Sequence, residues 1–335
     1  MFADLRSHGM TVRNVWRVAR NTDGARQEAL RACVFLLAGR LTPYLGVEHD
    51  GVRYVLSTDE PIGVCYTTFV RGFFDEVTVR NMVTALAQHA EITTIEGSTI
   101  LEIGANIGTE TVSLLMRHGV ARVVAVEPDE KNVRFLRSNL AINGLQDRVA
   151  IYEMALSDVD GMVMLEHSED NWGDHRVRAD NPSGPDLHDE GLRMASPVPA
   201  RRLDSLVNTG ELDLDEIDFA WIDAQGHEAH ILDGAGGLAD AGVPIVTEYW
   251  PYGLRRAGAL DRFHALITRR YDVIVDLREP GVALDAKRVA ELADRYELDE
   301  SAGRAVLYTD LLLLPRQRRR PVGAQALSVS STAAD

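Results

Sequence analysis

Short apolar runs, glycine turns and amphipathic stretches follow one another along most of this chain. The clearest instance is Thr99–Glu127, TILEIGANIGTETVSLLMRHGVARVVAVE. Thr99–Ile103 is apolar and partly β-branched, and Gly104-Ala105-Asn106-Ile107-Gly108 breaks it. Thr109–His118 then places Val112, Leu115 and Met116 at helical spacing, and Arg122–Val126 is a second apolar run ending in Glu127-Pro128. The pattern predicts strand, turn, helix, strand. This is a βαβ unit with its glycine turn at the carboxyl end of the first strand, where open α/β sheets bind ligands.

The same rhythm extends in both directions. Upstream, 23–39 reads as a helix starting at Asp23 and stopping at Gly39, with Leu30, Cys33, Val34 and Leu37 on one face. It is either packing onto the main domain or a lid or homodimer arm. Residues 44–48 and 52–56 flank His49-Asp50-Gly51 and predict a hairpin. Phe73–Ala90 reads as a helix, and Tyr66, Thr67, Phe69 and Phe73 are candidates for a substrate mouth. Downstream, 129–143 predicts a helix begun by Asp129 and ended by Asn143-Gly144. Further strands are expected at 148–153, 217–222, 243–247, 271–276 and 305–314, with helices over 229–238 and 254–269. Residues 159–200 are polar and rich in Gly, Pro, Asn and Asp, and they interrupt the rhythm as a loop or lid would. The expected organisation is an extension over 1–95, an α/β domain over 96–315 with a lid or substrate insertion at 159–200, and a disordered tail over 316–335.

The turn suggests a ligand. Small residues at 104, 105 and 108 let one lie close to the backbone, and unpaired N–H groups at the next helix start favour an anionic group. Glu127 ends the second strand, where a carboxylate can accept from both hydroxyls of a ribose. The dinucleotide pattern G-x-G-x-x-G is absent, because Asn106 stands at its second glycine, and no phosphate-binding G-x-x-x-x-G-K-[ST] loop occurs. An adenosine-type cofactor fits these residues.

EIGANIG followed by VEP, then MALSD at 154–158, RLDSL at 202–206 and IDAQGHEAHILDGA at 222–235, resembles the FkbM family of class I methyltransferases over roughly 45–315. The ordered set is specific for the family but not for a substrate. The resemblance implies a Rossmann-like seven-stranded sheet whose last strand is antiparallel, between the fifth and sixth, preceded by a small helix and hairpin extension. It implies S-adenosyl-L-methionine (SAM) as cofactor, bound by Glu102, Gly104, Ala105, Asn106, Gly108, Glu127, Pro128, Met154, Ala155 and Asp223, with Met154 and Ala155 at the base. It also implies O-methylation of a small secondary metabolite or sugar-like molecule. The polar insertion, through Trp172, Asp174, His175 and Arg176, and the acid-aromatic pair Glu248 and Tyr249 would bind that acceptor.

Asp223, His227 and Glu228 follow the fourth strand and are the catalytic candidates. Asp223 would lie by the sulfonium. His227 has an ordinary pKa suited to proton removal, and Glu228 opens a helix whose dipole favours a carboxylate. No metal is assigned to the site, although a divalent cation held by Asp223 and Glu248 remains a second route to an activated hydroxyl. Amine or carboxylate methylation, or SAM or nucleoside binding without turnover, are the alternatives; an NAD-dependent oxidoreductase is disfavoured by Asn106.

Composition adds limits. The 335 residues carry a formal charge of −16, which disfavours a nucleic-acid partner. No apolar run is long enough to span a bilayer and no signal-peptide pattern opens the chain, so a cytoplasmic protein without a membrane partner is expected. Cys33 and Cys65 fit no metal spacing and are expected to be reduced and structural.

Overall fold

The computed structural model describes residues 23–72, 76–296 and 308–316. Its centre is a seven-stranded sheet in the order β12-β13-β11-β10-β3-β4-β5. These strands are β3 (Thr99–Ile103), β4 (Arg122–Val126), β5 (Val149–Tyr152), β10 (Phe219–Ile222), β11 (Ile245–Tyr249), β12 (Tyr271–Asp276) and β13 (Thr309–Pro315). β13 runs antiparallel to both neighbours, β11 and β12, while β11, β10, β3, β4 and β5 are parallel. This is the arrangement that the sequence resemblance implies, with the last strand inserted antiparallel between the fifth and sixth.

Register places the functional residues. Ile103 is opposite Val126 and Ile222, and Ile222 is opposite Thr247. The next residues, Gly104, Glu127, Asp223 and Glu248, therefore stand in a row at one edge. The sheet is buried on both faces, which explains its unbroken apolar runs. On one face Ile100, Val123, Val246 and Leu312 pack with Met82, Leu86, Val112 and Leu136. On the other, Leu101, Ile222, Ile245 and Leu313 pack with Leu232, Phe263 and Leu292.

The first helix, α1 (Asp23–Ala38), turns a different face inward from the one predicted. Ala29, Ala32, Cys33 and Phe35 are buried, whereas Leu30, Val34 and Leu37 are about half exposed at 55%, 46% and 51%. The alanines let α1 approach α2 (Val64–Arg71), where Phe35 meets Tyr66 and Phe69 at centroid distances of 5.6 and 5.3 Å. Close packing around one aromatic therefore outweighs the larger aliphatic stripe. The hairpin forms as β1 (Tyr44–His49) and β2 (Val52–Ser57), turning at Asp50 and Gly51 with φ of 51° and 81°. The next helix, α3, runs Glu76–Ala90; Phe73 lies outside the described residues.

The insertion is not the irregular lid expected. It folds β6 (Ala155–Leu156), β7 (Gly161–Glu166), β8 (Arg176–Val177) and β9 (Ala195–Arg201) into a second sheet, in the order β6-β9-β7-β8. Leu165, Val198 and Ala200 bury its inner face, and the strands satisfy the backbone groups that burial would otherwise strand. The helix expected over 229–238 breaks at Ala235, and that over 254–269 breaks near Gly258, at φ 65°. Among the described residues, no helix is long and apolar enough to cross a membrane. The expected tail lies outside the described residues, apart from Arg316.

Candidate functional site

A cavity of about 650 Å³ opens at the carboxyl edge of the sheet. One wall is the turn after β3. Gly104 has φ 93°, and a Cβ there would lie 1.8 Å from the Asp223 carbonyl oxygen, so only glycine lets the two strand ends approach. The amides of Gly104 and Ala105 both donate to the Val126 carbonyl, at 2.9 and 3.1 Å. Asn106 follows at φ 50° and donates its amide to Glu127 Oε2 at 2.8 Å.

Glu127 is held from two sides. Its Oε1 accepts from the Asp129 amide at 2.9 Å and from Asn132 Nδ2 at 3.3 Å. A carboxylate offers about four lone-pair sites, so a position on Oε2 stays open. Burial pushes its pKa up to about 7 and that of Glu102 up to about 8. Glu102 accepts from Thr111 Oγ1 at 2.6 Å and braces the turn from below. Glu102, Gly104, Ala105, Asn106, Glu127, Pro128, Met154, Ala155 and Asp223 all line the cavity. Gly108 does not. A Cβ there would meet Leu136 Cδ1 at 2.4 Å, so this glycine serves helix-to-helix packing rather than ligand contact.

The opposite wall comes from the insertion and β11. Trp172, Asp174, His175, Arg176 and Glu248 line it. Trp172 is buried edge-on against Phe135, with Lys131 Nζ 3.5 Å from its ring centre. Arg176 bonds Asp174 and donates to Glu190 at 2.9 Å, and Arg193 reaches Asp174 at 2.5 Å. Burial would raise the Asp174 carboxyl, but the two guanidiniums hold it below its ordinary value. Arg176 also lies 4.7 Å over the Trp250 ring. His175 accepts from the Ser168 amide through Nδ1 at 3.0 Å, and burial pushes its pKa down to about 4. It is a neutral N–H donor near neutral pH.

Three expected roles do not survive the geometry. Tyr249 turns away from the cavity, because successive strand residues face opposite sides; its hydroxyl is 2.8 Å from His264 Nε2, inside the packing around Phe263. His227 lines the cavity but is buried, bonded through Nε2 to Ser157 Oγ at 2.9 Å and stacked on His230. Burial pushes its pKa down to about 3, too weakly basic to take an acceptor proton. Glu228 is fully buried and does not line the cavity; its Oε1 accepts from the Ala224 and Gly226 amides at 3.0 and 3.1 Å and clamps the turn after β10.

Sequence reasoning missed several residues. Gln225, at φ 52°, spans two acids, with its Nε2 2.6 Å from Asp223 Oδ1 and 3.1 Å from Glu248 Oε2. Buried Glu60 accepts from the amides of Val64, Cys65 and Trp172 at 3.0, 2.6 and 2.7 Å. An acid shortly before an apolar helix was its one sequence signal. Asp310 joins the cavity from β13, hidden in an apolar run. Of the residues expected at a substrate mouth, Thr67 lines the cavity, while Tyr66 and Phe69 pack on Phe35.

Residues 102–251 match the family described as the methyltransferase FkbM domain. The chain is 29% identical over 183 residues, 51% of its own length and 72% of the relative's, to the 2-O-methyltransferase NoeI of Sinorhizobium fredii. Among solved structures, the methyltransferase FkbM of Methylobacillus flagellatus aligns with a TM-score of 0.39 at 15% identity, over 72% of this chain. The chain spans 56% of that protein's length. The O-methyltransferase of Bacillus cereus, solved with SAH, aligns with a TM-score of 0.38 at 16% identity, over 75% of this chain and 96% of that one.

Proposed function

The stretch 102–251 belongs to the FkbM family of methyltransferases, and on that premise we propose that this protein is a SAM-dependent O-methyltransferase acting on a hydroxyl of a small, oxygen-rich acceptor. The observation that carries the reading is the convergence of the Gly104 turn, Glu127 and Asp223 on one side of a cavity whose other side is acidic and aromatic. The O-methyltransferase name of the Sinorhizobium relative supports oxygen as the accepting atom.

The residues fit the cofactor. Glu127, held by backbone amides and opening one acceptor position, suits ribose hydroxyls; Pro128, Met154 and Ala155 offer an apolar bed for a base. Gly104 leaves the backbone bare where a close approach is needed. SAM supplies an electrophilic methyl group on a positively charged sulfonium. Asp223 sits between the two halves of the cavity, beside Glu248 and Gln225. There its carboxylate stabilises positive charge and accepts the acceptor's hydroxyl proton as the new C–O bond forms. Burial raises the Asp223 pKa, which makes it a stronger base than an exposed carboxylate. Trp172, Trp250 and the Asp174–Arg176 pair hold the acceptor in line and keep water out.

The test is transfer of labelled methyl from SAM to a panel of hydroxylated small molecules, with the product's methyl position read by NMR. An O-methyl product whose kcat falls about a hundredfold or more in Asp223→Asn, with SAH affinity within a few fold, is expected. Transfer to nitrogen would contradict oxygen as acceptor, and full activity in Asp223→Asn would remove that residue from proton transfer.

A further inference from the structure

We propose that Asp223, Glu228 and Glu248 form a binding site for one divalent cation at the floor of the acceptor half of the cavity. One carboxylate oxygen from each lies within 4.8 Å of the others. Asp223 and Glu248 line the cavity, and Glu228 closes the group from beneath.

The decisive atom is Glu228 Oε2. Glu228 has no solvent exposure, and its Oε1 is satisfied by two backbone amides. Oε2 has no hydrogen-bond partner among the described residues. A buried carboxylate oxygen left bare is costly, and the structure resolves that cost elsewhere by pairing: in the same cavity Asp174 has two arginines. Between Asp223 and Glu248 the donor is the neutral Gln225 amide. An ion beside Oε2 supplies what the amide does not, positive charge.

The donor set names the class of ion. Three carboxylates and no sulfur or imidazole suit a hard cation such as Mg²⁺ or Mn²⁺ over Zn²⁺. Mg²⁺ keeps several waters and takes few carboxylates, which suits a site open to a cavity on one side. The other cluster of ligating side chains, Asp129, His167 and His175, is already spent. His167 Nδ1 faces Asp129 Oδ2 at 3.2 Å and its Nε2 meets Ser196 Oγ at 2.7 Å, while His175 Nδ1 accepts the Ser168 amide. A metal-binding histidine instead donates its second ring N–H outward.

The consequence, which rests on the methyl-transfer reading, is that a bound ion would add positive charge near the accepting hydroxyl and would lower the cost of the negative charge on its oxygen as Asp223 takes the proton.

The test is titration of the full chain, saturated with SAH after EDTA treatment and dialysis, with Mn²⁺ followed by electron paramagnetic resonance and by calorimetry. About one Mn²⁺ per chain is expected, displaced by Mg²⁺. Glu228→Gln should weaken Mn²⁺ binding at least about tenfold while SAH affinity stays within about threefold. Glu248→Gln is the second variant should Glu228→Gln not fold, with the same expectation. SAH binding without Mn²⁺ binding, or undiminished Mn²⁺ affinity in a folded variant, overturns the cation site and leaves the methyl-transfer reading standing. Mn²⁺ binding lost in the variants, with no SAH bound to folded wild type, upholds the site and overturns that reading.

Discussion

Glu127 shows how a single side chain acquires its task. Strand β4 ends one residue before it, burial makes its charge costly, and two backbone amides hold its carboxylate in place. Replacing it with alanine should weaken SAH binding about 10- to 100-fold, the worth of hydrogen bonds to a charged group, as read by calorimetry. Under the proposed function, ribose hydroxyls would favour its ionised form, so binding would lower a pKa that burial pushes up to about 7. SAH affinity should therefore rise with pH from about 5.5 and level off above about 7, and Glu127→Gln should flatten that rise. Gly104 is the matching backbone residue. Gly104→Ala places a Cβ into the Asp223 carbonyl at a positive φ, and thermal unfolding should show a loss of at least about 2–3 kcal/mol. Both residues were legible in the sequence, because a glycine turn after an apolar run and an acid at the next strand's end are local signals. Gln225 was not, because its importance comes from two acids 2 and 23 positions away in sequence.

Among the elements, the N-terminal unit, the insertion and the glycine turn after β3 are joined at one place. Glu60 caps α2 through the Val64 and Cys65 amides and also takes the Trp172 amide, while Asn106 Nδ2 donates to the Trp172 carbonyl at 3.0 Å. Glu60→Ala strands three buried amides. It should cost roughly 2–4 kcal/mol in denaturant unfolding and should expose the 167–194 segment to limited proteolysis, with cleavage slowed in wild type. Unchanged stability would show that Trp172 is held some other way. At this scale the sheet was read well, since two-sided burial writes itself as apolar runs and β3, β4 and β12 form within the expected limits. The insertion was misread because its strands are short and its polar loops dominate the composition; only pairing between β7 and β9, distant in sequence, makes a sheet of it. The inward face of α1 was misread because periodicity reports where aliphatic residues lie, not which face a small neighbouring helix can approach.

On the scale of the whole molecule, buried carboxyls that favour their protonated form gather near the carboxyl edge of the sheet. Burial raises Glu102 to about 8 and Glu127 and Glu228 to about 7. Protons bind these groups more tightly in the folded than in the unfolded chain. The stability they lend is full below about pH 4.5 and is lost as pH rises through 7 to 8. His227 and His175, pushed down to about 3 and 4, act in the opposite sense, but only below about pH 6.5. Between pH 6.5 and 8.5 the carboxyls therefore set the slope, and the melting temperature of the ligand-free protein should fall across that range, less steeply in Glu127→Gln. A flat profile would mean that these acids are ionised in the fold through partners of their own. Whether this edge binds SAM is read by calorimetric titration of the folded chain with SAM and SAH, wild type beside Glu127→Ala. One site per chain is expected for both ligands, with a loss of affinity of about 10- to 100-fold in the variant. Folded wild-type protein that binds neither ligand would contradict SAM as its cofactor.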